Sequence, residues 1–457
     1  MSAAVQQLFR YAFESHLDSD EGVNLIRLAT FSTDENSNPY FFQGQLANPR
    51  RTADLLRALM TIVQSRFHIP AQMLQRILLE SDPVVTCNDD RLRFEGFSAC
   101  CGAYARIDML PDSLEGERFG RGTTNVDFNQ PMLNALARIK PGDKVSISVG
   151  ADKVVLKQKQ KETIEKKVKL PVRWLKGFVE VQAVQSRMEL MHQVDAIHAF
   201  RFFRSLPKMK THRRSTWVAQ SGRGLRLSQV ASPKGVPVGG LERLKVLELL
   251  SREAQSLSVF ADQLTGASAW VLEFDDCRFH LVLSPEVWRG FSGEGQALAS
   301  LAAKNKTAIP KIQSLLKWQS IVDQEKIAKS SKFSSDVVET ALKSLGSRGL
   351  VGFDLAESAY FHREMPFDLD AVEKLQPRLL AARKLLEGEN VKIGKKTKTT
   401  CEVLVKSKDV EHRVKFKFGK DVTTKCTCPW FAKHENSRGP CKHTLAAQIL
   451  IEESNPE

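Results

Sequence analysis

Residues 426–443 read Cys-Thr-Cys-Pro-Trp-Phe-Ala-Lys-His-Glu-Asn-Ser-Arg-Gly-Pro-Cys-Lys-His, and everything else is placed from them. The spacing is Cys-x-Cys, twelve residues, then Cys-x-His, so Cys426, Cys428, Cys441 and His443 offer three thiolates and one imidazole. That donor set suits one tetrahedral Zn2+ in a closed structural site, with no position left for water or substrate. One residue between ligands lets a turning backbone aim both donors at one ion, and Gly439-Pro440 sets the second pair at a helix start. The helix then runs from His443 to Ile451, with Leu445, Ala446 and Ile449 inward, while Pro429, Trp430 and Phe431 form an apolar lid. A unit this small is expected to lose its fold without metal. His434 breaks the Cys-x-His pattern and is read as a bystander, as is Cys401, a strand residue.

Upstream, residues 401–407 (CEVLVKS) and 412–418 (HRVKFKF) alternate apolar and basic residues with period two, which predicts a β-hairpin. The hairpin, Cys426-Thr-Cys428-Pro-Trp, and Arg438-Gly-Pro-Cys441-Lys-His443 followed by Leu-Ala-Ala together resemble the SWIM zinc finger, over about residues 401–453. Such fingers occur in bacterial proteins of unsettled activity, in ATPases and in transposase-like proteins. The resemblance implies zinc binding with a role on DNA or in protein interaction; it names a metal and no reaction. From Glu389 to Glu457 fourteen Lys and Arg face nine Asp and Glu. Lys415, Lys417, Lys425, Lys433, Arg438 and Lys442 are the candidate contacts to a phosphate backbone or partner. A Cys3His zinc site carries net charge near minus one, so the same lysines also serve to offset it.

Residues 296–366 predict three short helices and a hairpin. Pro310 opens the first (311–319), Asp323 caps the second (324–330), and Ser334 or Ser335 caps the third through Leu345. Strands 350–353 and 360–363 follow around Asp354 to Ser358, an order that resembles a winged helix-turn-helix. On a DNA-binding reading Ser334, Ser335, Thr340 and Lys343 enter the major groove and Arg363 meets the backbone. Asp336 and Glu339 on the same helix would repel phosphate, so docking of a protein stands as the equal alternative. Residues 367–400 read as a leucine-bearing helix (368–386) and a polar, lysine-rich linker (388–400).

Residues 1–295 read as a mixed α+β region, with two subdomains as an option, so the chain is a multidomain α+β protein: mixed region, winged-helix-like module and small ββα finger. Leu55, Leu56, Leu59, Met60 and Val63 define an amphipathic helix over 53–67, and hairpin patterning follows around Asn88-Asp89-Asp90. Strand 126–128, helix 130–139 and a hairpin over 145–156 come next, an order similar to a unit of DNA sliding clamps but without diagnostic residues. Residues 181–203 are expected to be one helix, 232–240 a long loop, and the two Asp-Asp turns at 89 and 275 hint at a duplication. Basic runs at Lys157–Lys169 and Arg201–Arg214 face phosphates or simply solvent.

The chain of 457 residues, with 42% hydrophobic and 26% charged residues, has the composition of a folded protein. The first twenty residues lack the pattern of an export signal, and no run of eighteen apolar residues would cross a bilayer, so a cytoplasmic location is expected. Eight cysteines, three of them in the last 32 residues, suit metal binding in a reducing compartment, and adjacent Cys100 and Cys101 read as buried free thiols. A net charge of +14 makes nucleic acid the first partner to consider, though the same field would serve an anionic partner protein. There is no GxxxxGK[ST], GxSxG or HExxH, and the zinc is coordinatively full, so no enzymatic activity is expected.

Overall fold

The computed structural model describes residues 16–20, 23–28, 42–65, 82–118, 120–126, 128–149, 172–207, 216–293, 295–302, 307–365, 376–419 and 422–454. Its centre is an antiparallel sheet of eight strands. In spatial order these are β10 (Glu189–Asp195), β14 (Ser256–Asp262), β15 (Ala267–Glu273), β16 (Cys277–Leu283), β6 (Ala103–Met109), β5 (Leu92–Phe97), β4 (Val84–Cys87) and β8 (Gly122–Asn125). A five-stranded sheet runs β1 (His16–Asp20), β2 (Val23–Leu28), β9 (Val145–Val149), β3 (Phe42–Leu46), β7 (Leu114–Arg118), with β2 and β9 parallel. Strands β12 (Gly224–Ser228), β11 (Thr216–Ser221) and β13 (Val236–Val238) make a third sheet, so the proline- and glycine-rich stretch at 232–240 contributes a strand as well as a loop.

On the apolar face of the central sheet lies α1 (Pro49–Gln64), which packs against α2 (Gln130–Arg138) and α5 (Val246–Leu250). Asn48 caps α1 by accepting the Arg51 amide at 3.1 Å, Pro49 sits in its first turn, and Leu55, Leu56, Leu59, Met60 and Val63 are buried as their spacing predicts. The expected single helix at 181–203 is three elements instead: α3 (Val172–Gln185), the edge strand β10, and α4 (Ala196–Ser205). Pairing of Glu189–Asp195 with β14 wins over helix continuation, and Asp195 then caps α4 by accepting the His198 amide at 2.9 Å. The strand expected at 126–128 lies at β8, and the second strand expected beyond Val149 lies outside the described residues, as does the lysine run at 157–169. The two Asp-Asp turns are not equivalent, since one joins β4 to β5 and the other β15 to β16.

Next come α6 (Leu298–Ala302), α7 (Ala308–Gln313), α8 (Gln324–Ser331), α9 (Ser335–Ser347) and a hairpin of β17 (Val351–Asp354) and β18 (Ala359–His362). Asp323 caps α8 and Ser334 caps α9, and the first helix of the trio is shorter and earlier than 311–319. The β17–β18 hairpin lies on the second face of the central sheet, and that face is charged. Register places Arg93, Asp108 and Arg278 in one row across β5, β6 and β16, with Glu95, Arg106 and His280 in the next. Asp354 of β17 meets this surface, 3.0 Å from Arg106 and 3.3 Å from Arg93, while Asp108 holds Arg106 at 2.8 Å and His280 at 3.1 Å. Glu357 in the hairpin turn binds Arg278 at 2.7 Å and Arg91 at 2.9 Å. Arg363, expected to reach a phosphate backbone, is instead buried at 1% exposure and ion-paired with Glu95. A guanidinium removed from water needs a carboxylate partner to offset the lost hydration.

Beyond residue 376, α10 (Pro377–Glu387) leads into a four-stranded antiparallel sheet of β19 (Val391–Lys396), β20 (Thr400–Ser407), β21 (Val410–Lys417) and β22 (Thr423–Cys426). The stretch read as a linker is thus partly an edge strand: Val391 is buried among lysines and pairs with Val405. The leucine-bearing helix starts at Pro377 within the described residues, and 366–375 lie outside them. Two short helices close the chain, α11 (Pro429–His434) and α12 (Lys442–Glu453). Among the described residues no helix is long and apolar enough to cross a membrane.

Candidate metal centre

Each ligand is delivered by a separate local device. Cys426 ends β22, held by the pairing of Val414 with Cys426. Cys428 is the residue before α11 and accepts the Phe431 amide at 3.4 Å; Cys441 caps α12 and accepts the Thr444 amide at 3.3 Å. His443 follows in the first turn of α12, and all four residues are buried. Their donor atoms lie within 4.8 Å of one another, and His443 Nδ1 is 4.0 Å from both Cys426 Sγ and Cys441 Sγ. A tetrahedral ion with Zn–S of about 2.3 Å and Zn–N of about 2.0 Å needs edges of about 3.6–3.8 Å, so the cluster needs only slight contraction.

Electrostatics favour the same occupant. A hydrogen bond from Cys426 holds the Cys441 thiol down to about 3, and that contact, with burial, pushes the Cys426 thiol well up. A divalent ion bound here takes the place of the thiol protons. The start of α12, with its partial positive charge, points at Cys441. His443 Nδ1, 4.0 Å from both sulfurs, is the nitrogen that faces the cage, and Nε2 is buried with no hydrogen-bond partner among the described residues. His434 stays outside the cluster, its ring 4.4 Å from Trp430. His412 lies tilted against His443, ring centres 4.3 Å apart, also outside the ligand set.

A second convergence, Asp108, His280 and Asp354, has ligand-like spacing as well. Arg106 and Arg93 already neutralise it from inside, so it is an ion-pair network and not a cation site.

The remaining sequence-predicted residues divide. Lys415, Lys417 and Lys425 are exposed on the outward face of the four-stranded sheet, where Lys415 pairs in register with Lys425; Lys433 is exposed on α11. Lys442 is tied to Ser407 at 2.9 Å, and Arg438 donates to the Gly293 carbonyl at 3.2 Å and lies over Trp430, so these two are structural ties. On α9, Ser334 is the cap, Ser335 is exposed, Thr340 bonds back to the Asp336 carbonyl at 2.8 Å, and Lys343 is held by Glu339 at 2.6 Å. Sequence reading missed Arg289, Gln296 and Arg378, which grip the loop between the ligand pairs from up to 148 positions away; no local pattern marks them.

The site is a closed zinc centre of the finger type, with a Cys3His donor set and one structural Zn2+. Residues 412–449 match the family model of the SWIM zinc finger. No curated protein matches the chain. Among solved structures it is similar to proliferating cellular nuclear antigen from Entamoeba histolytica, at 9% identity and a TM-score of 0.34, over 54% of this chain and 100% of that one. It is similar likewise to the PCNA2–PCNA3 complex from Sulfolobus tokodaii (8%, TM-score 0.30, 54% and 99%). A. fulgidus PCNA, solved with the C-terminal region of FEN-1, matches at 11% identity and a TM-score of 0.31, over 54% and 98%.

Proposed function

We propose that this is a non-enzymatic zinc protein that associates with DNA through the outward face of its finger sheet. The observation that carries this reading is the row Arg413, Lys415 and Lys417 along β21, exposed at every second residue, with Lys425 beside it on β22 and Lys392 beyond β20 on β19. Residues two apart on a strand recur about every 6.8 Å, a step on which lysines can follow a phosphate chain. Glu402 on the same face is engaged by Arg413 at 3.6 Å. The face carries no exposed aromatic ring, so stacking on unpaired bases does not contribute and binding is to the backbone of a duplex, without sequence preference. Closed coordination of the zinc supports the absence of catalysis there.

The stretch 296–366 is read as a winged-helix-like module whose hairpin faces inward. Its wing is spent on the central sheet, and the exposed start of α9 carries Asp336 and Glu339. That acidic surface favours a second reading, an adaptor that holds a protein on α9. Gel-shift titration of the full chain over a salt series separates the two. Binding should fall steeply with salt, and Lys415→Ala with Lys417→Ala should lower the log–log slope by about 2 while weakening all duplexes alike. A chain that ignores every duplex at low salt, or a double variant that binds as the parent does, would sink the DNA reading.

A further inference from the structure

Residues 435–440, between α11 and Cys441, are polar and carry no large apolar side chain, yet their backbone is fixed. It turns through three left-handed residues, Glu435 (φ 43°), Asn436 (φ 68°) and Gly439 (φ 72°). Bonds within the finger, Asn436 Nδ2 to Thr424 Oγ1 at 3.1 Å and Ser437 Oγ to the His434 carbonyl at 2.6 Å, are joined by others from outside it. Gln296 Nε2 donates to the Asn436 and Ser437 carbonyls, both at 3.1 Å, and Arg289 Nη2 donates to Ser437 at 2.9 Å. Arg378 Nη1 donates to the Arg438 and Pro440 carbonyls at 2.7 and 3.1 Å, and its guanidinium lies 4.7 Å from the Trp430 ring centre. Gly439 meets Gly295 so closely that a Cβ there would stand 1.9 Å from the Gly295 oxygen. Ala297, Leu298 and Leu301 share one apolar core with Cys428, Cys441 and Leu445.

These contacts bear on the metal. Bringing Cys441 and His443 to Cys426 and Cys428 closes a loop, and closure costs chain entropy. A loop whose carbonyls are already held pays less of it, as any preorganised ligand does. Arg289 and Arg378 also add positive charge near a centre whose net charge is close to minus one. Groups behind the ligands commonly change metal affinity 10- to 100-fold.

We propose that Arg289, Gln296 and Arg378 are positioning residues of the zinc centre, so that metal binding and docking of the finger against residues 289–302 are one coupled equilibrium. The coupling is reciprocal: whatever factor docking contributes to zinc affinity, zinc contributes to docking. Loss of zinc therefore loosens the segment bearing Ala297, Leu298 and Leu301 as well as the finger.

The test uses the zinc-loaded full chain. Zinc release into excess chromogenic chelator should be at least about tenfold faster in the Gln296→Ala, Arg378→Ala double variant than in the parent. Lys395→Ala, exposed on β19, should release at the parental rate. Arg378→Lys keeps the charge but loses the planar contact to Trp430, and should fall between. In the parent, chelation should raise amide exchange over 289–302 together with 426–443 and leave the central sheet protected. Release within twofold of the parent in both Arg378 variants, or exchange rising at 426–443 alone, would overturn the proposal.

Discussion

Cys441→Ser is expected to abolish stoichiometric zinc and unfold the finger, the largest single effect available in this chain. Serine is as good a helix cap as any residue, so α12 keeps its N-terminal hydrogen bond to Thr444, and only the soft donor is removed. Apparent binding energies of structural zinc in small fingers are on the order of 10 kcal/mol, more than a four-stranded sheet with two short helices can supply from its own core. The loss should not stop at the ligands. Cys401, Val403, Val414 and Phe416 share their core with Leu445 and Ile449, and α10 packs on α12. Elemental analysis should give no zinc per chain where the parent gives one, and amide exchange should rise across 391–453. A variant that retained one zinc, or kept parental protection there, would show that these residues are not held by this metal.

Why this centre is legible in the sequence, and the central one is not, follows from distance along the chain. The four ligands lie within eighteen residues, and each pair is separated by one residue, so backbone geometry alone brings the pair together. Helix caps at Asn48, Asp323 and Ser334 are local for the same reason. Arg363 and Glu95 are 268 positions apart, and nothing near either predicts the other. One signal was present: β5, β6 and β16 each alternate charged groups on a single face, Arg93 with Glu95, Arg106 with Asp108, Arg278 with His280. Alternation of that kind ordinarily marks a solvated sheet face, and here a second layer covers it. The linker misread at 388–400 has a different cause, since lysines outnumber the two apolar residues that decide burial, Val391 and Ile393. The helix expected over 181–203 failed because strand pairing with a partner some seventy residues later outweighed local propensity.

Asp354→Ala is expected to destabilise the chain by about 3–5 kcal/mol, the usual result of removing one partner from a buried ion network. Asp354 is fully enclosed and faces Arg93 and Arg106, both also fully buried, so the variant leaves Asp108 as the one carboxylate shared by two buried guanidinium groups. Burial alone would raise the carboxyl groups of Asp108 and Asp354. Arg106, Arg93 and His280 outweigh it and hold both below the usual carboxylate range. Carboxyl groups depressed in the folded state stabilise fully above the unfolded value of about 3.9, and that stability is lost as pH falls below it toward the folded values. The β17–β18 hairpin should therefore stay docked from neutral pH down to about pH 4 and loosen only in stronger acid. Asp354→Ala removes one of the titrating groups, so its stability should be lower at neutral pH and change less on acidification than the parent's. Zinc release in acid is common to both chains, and the difference between their denaturation curves isolates the carboxylate. Equal stability at neutral pH, or parallel acid limbs, would mean that packing by Phe361, rather than charge, holds the hairpin to the sheet.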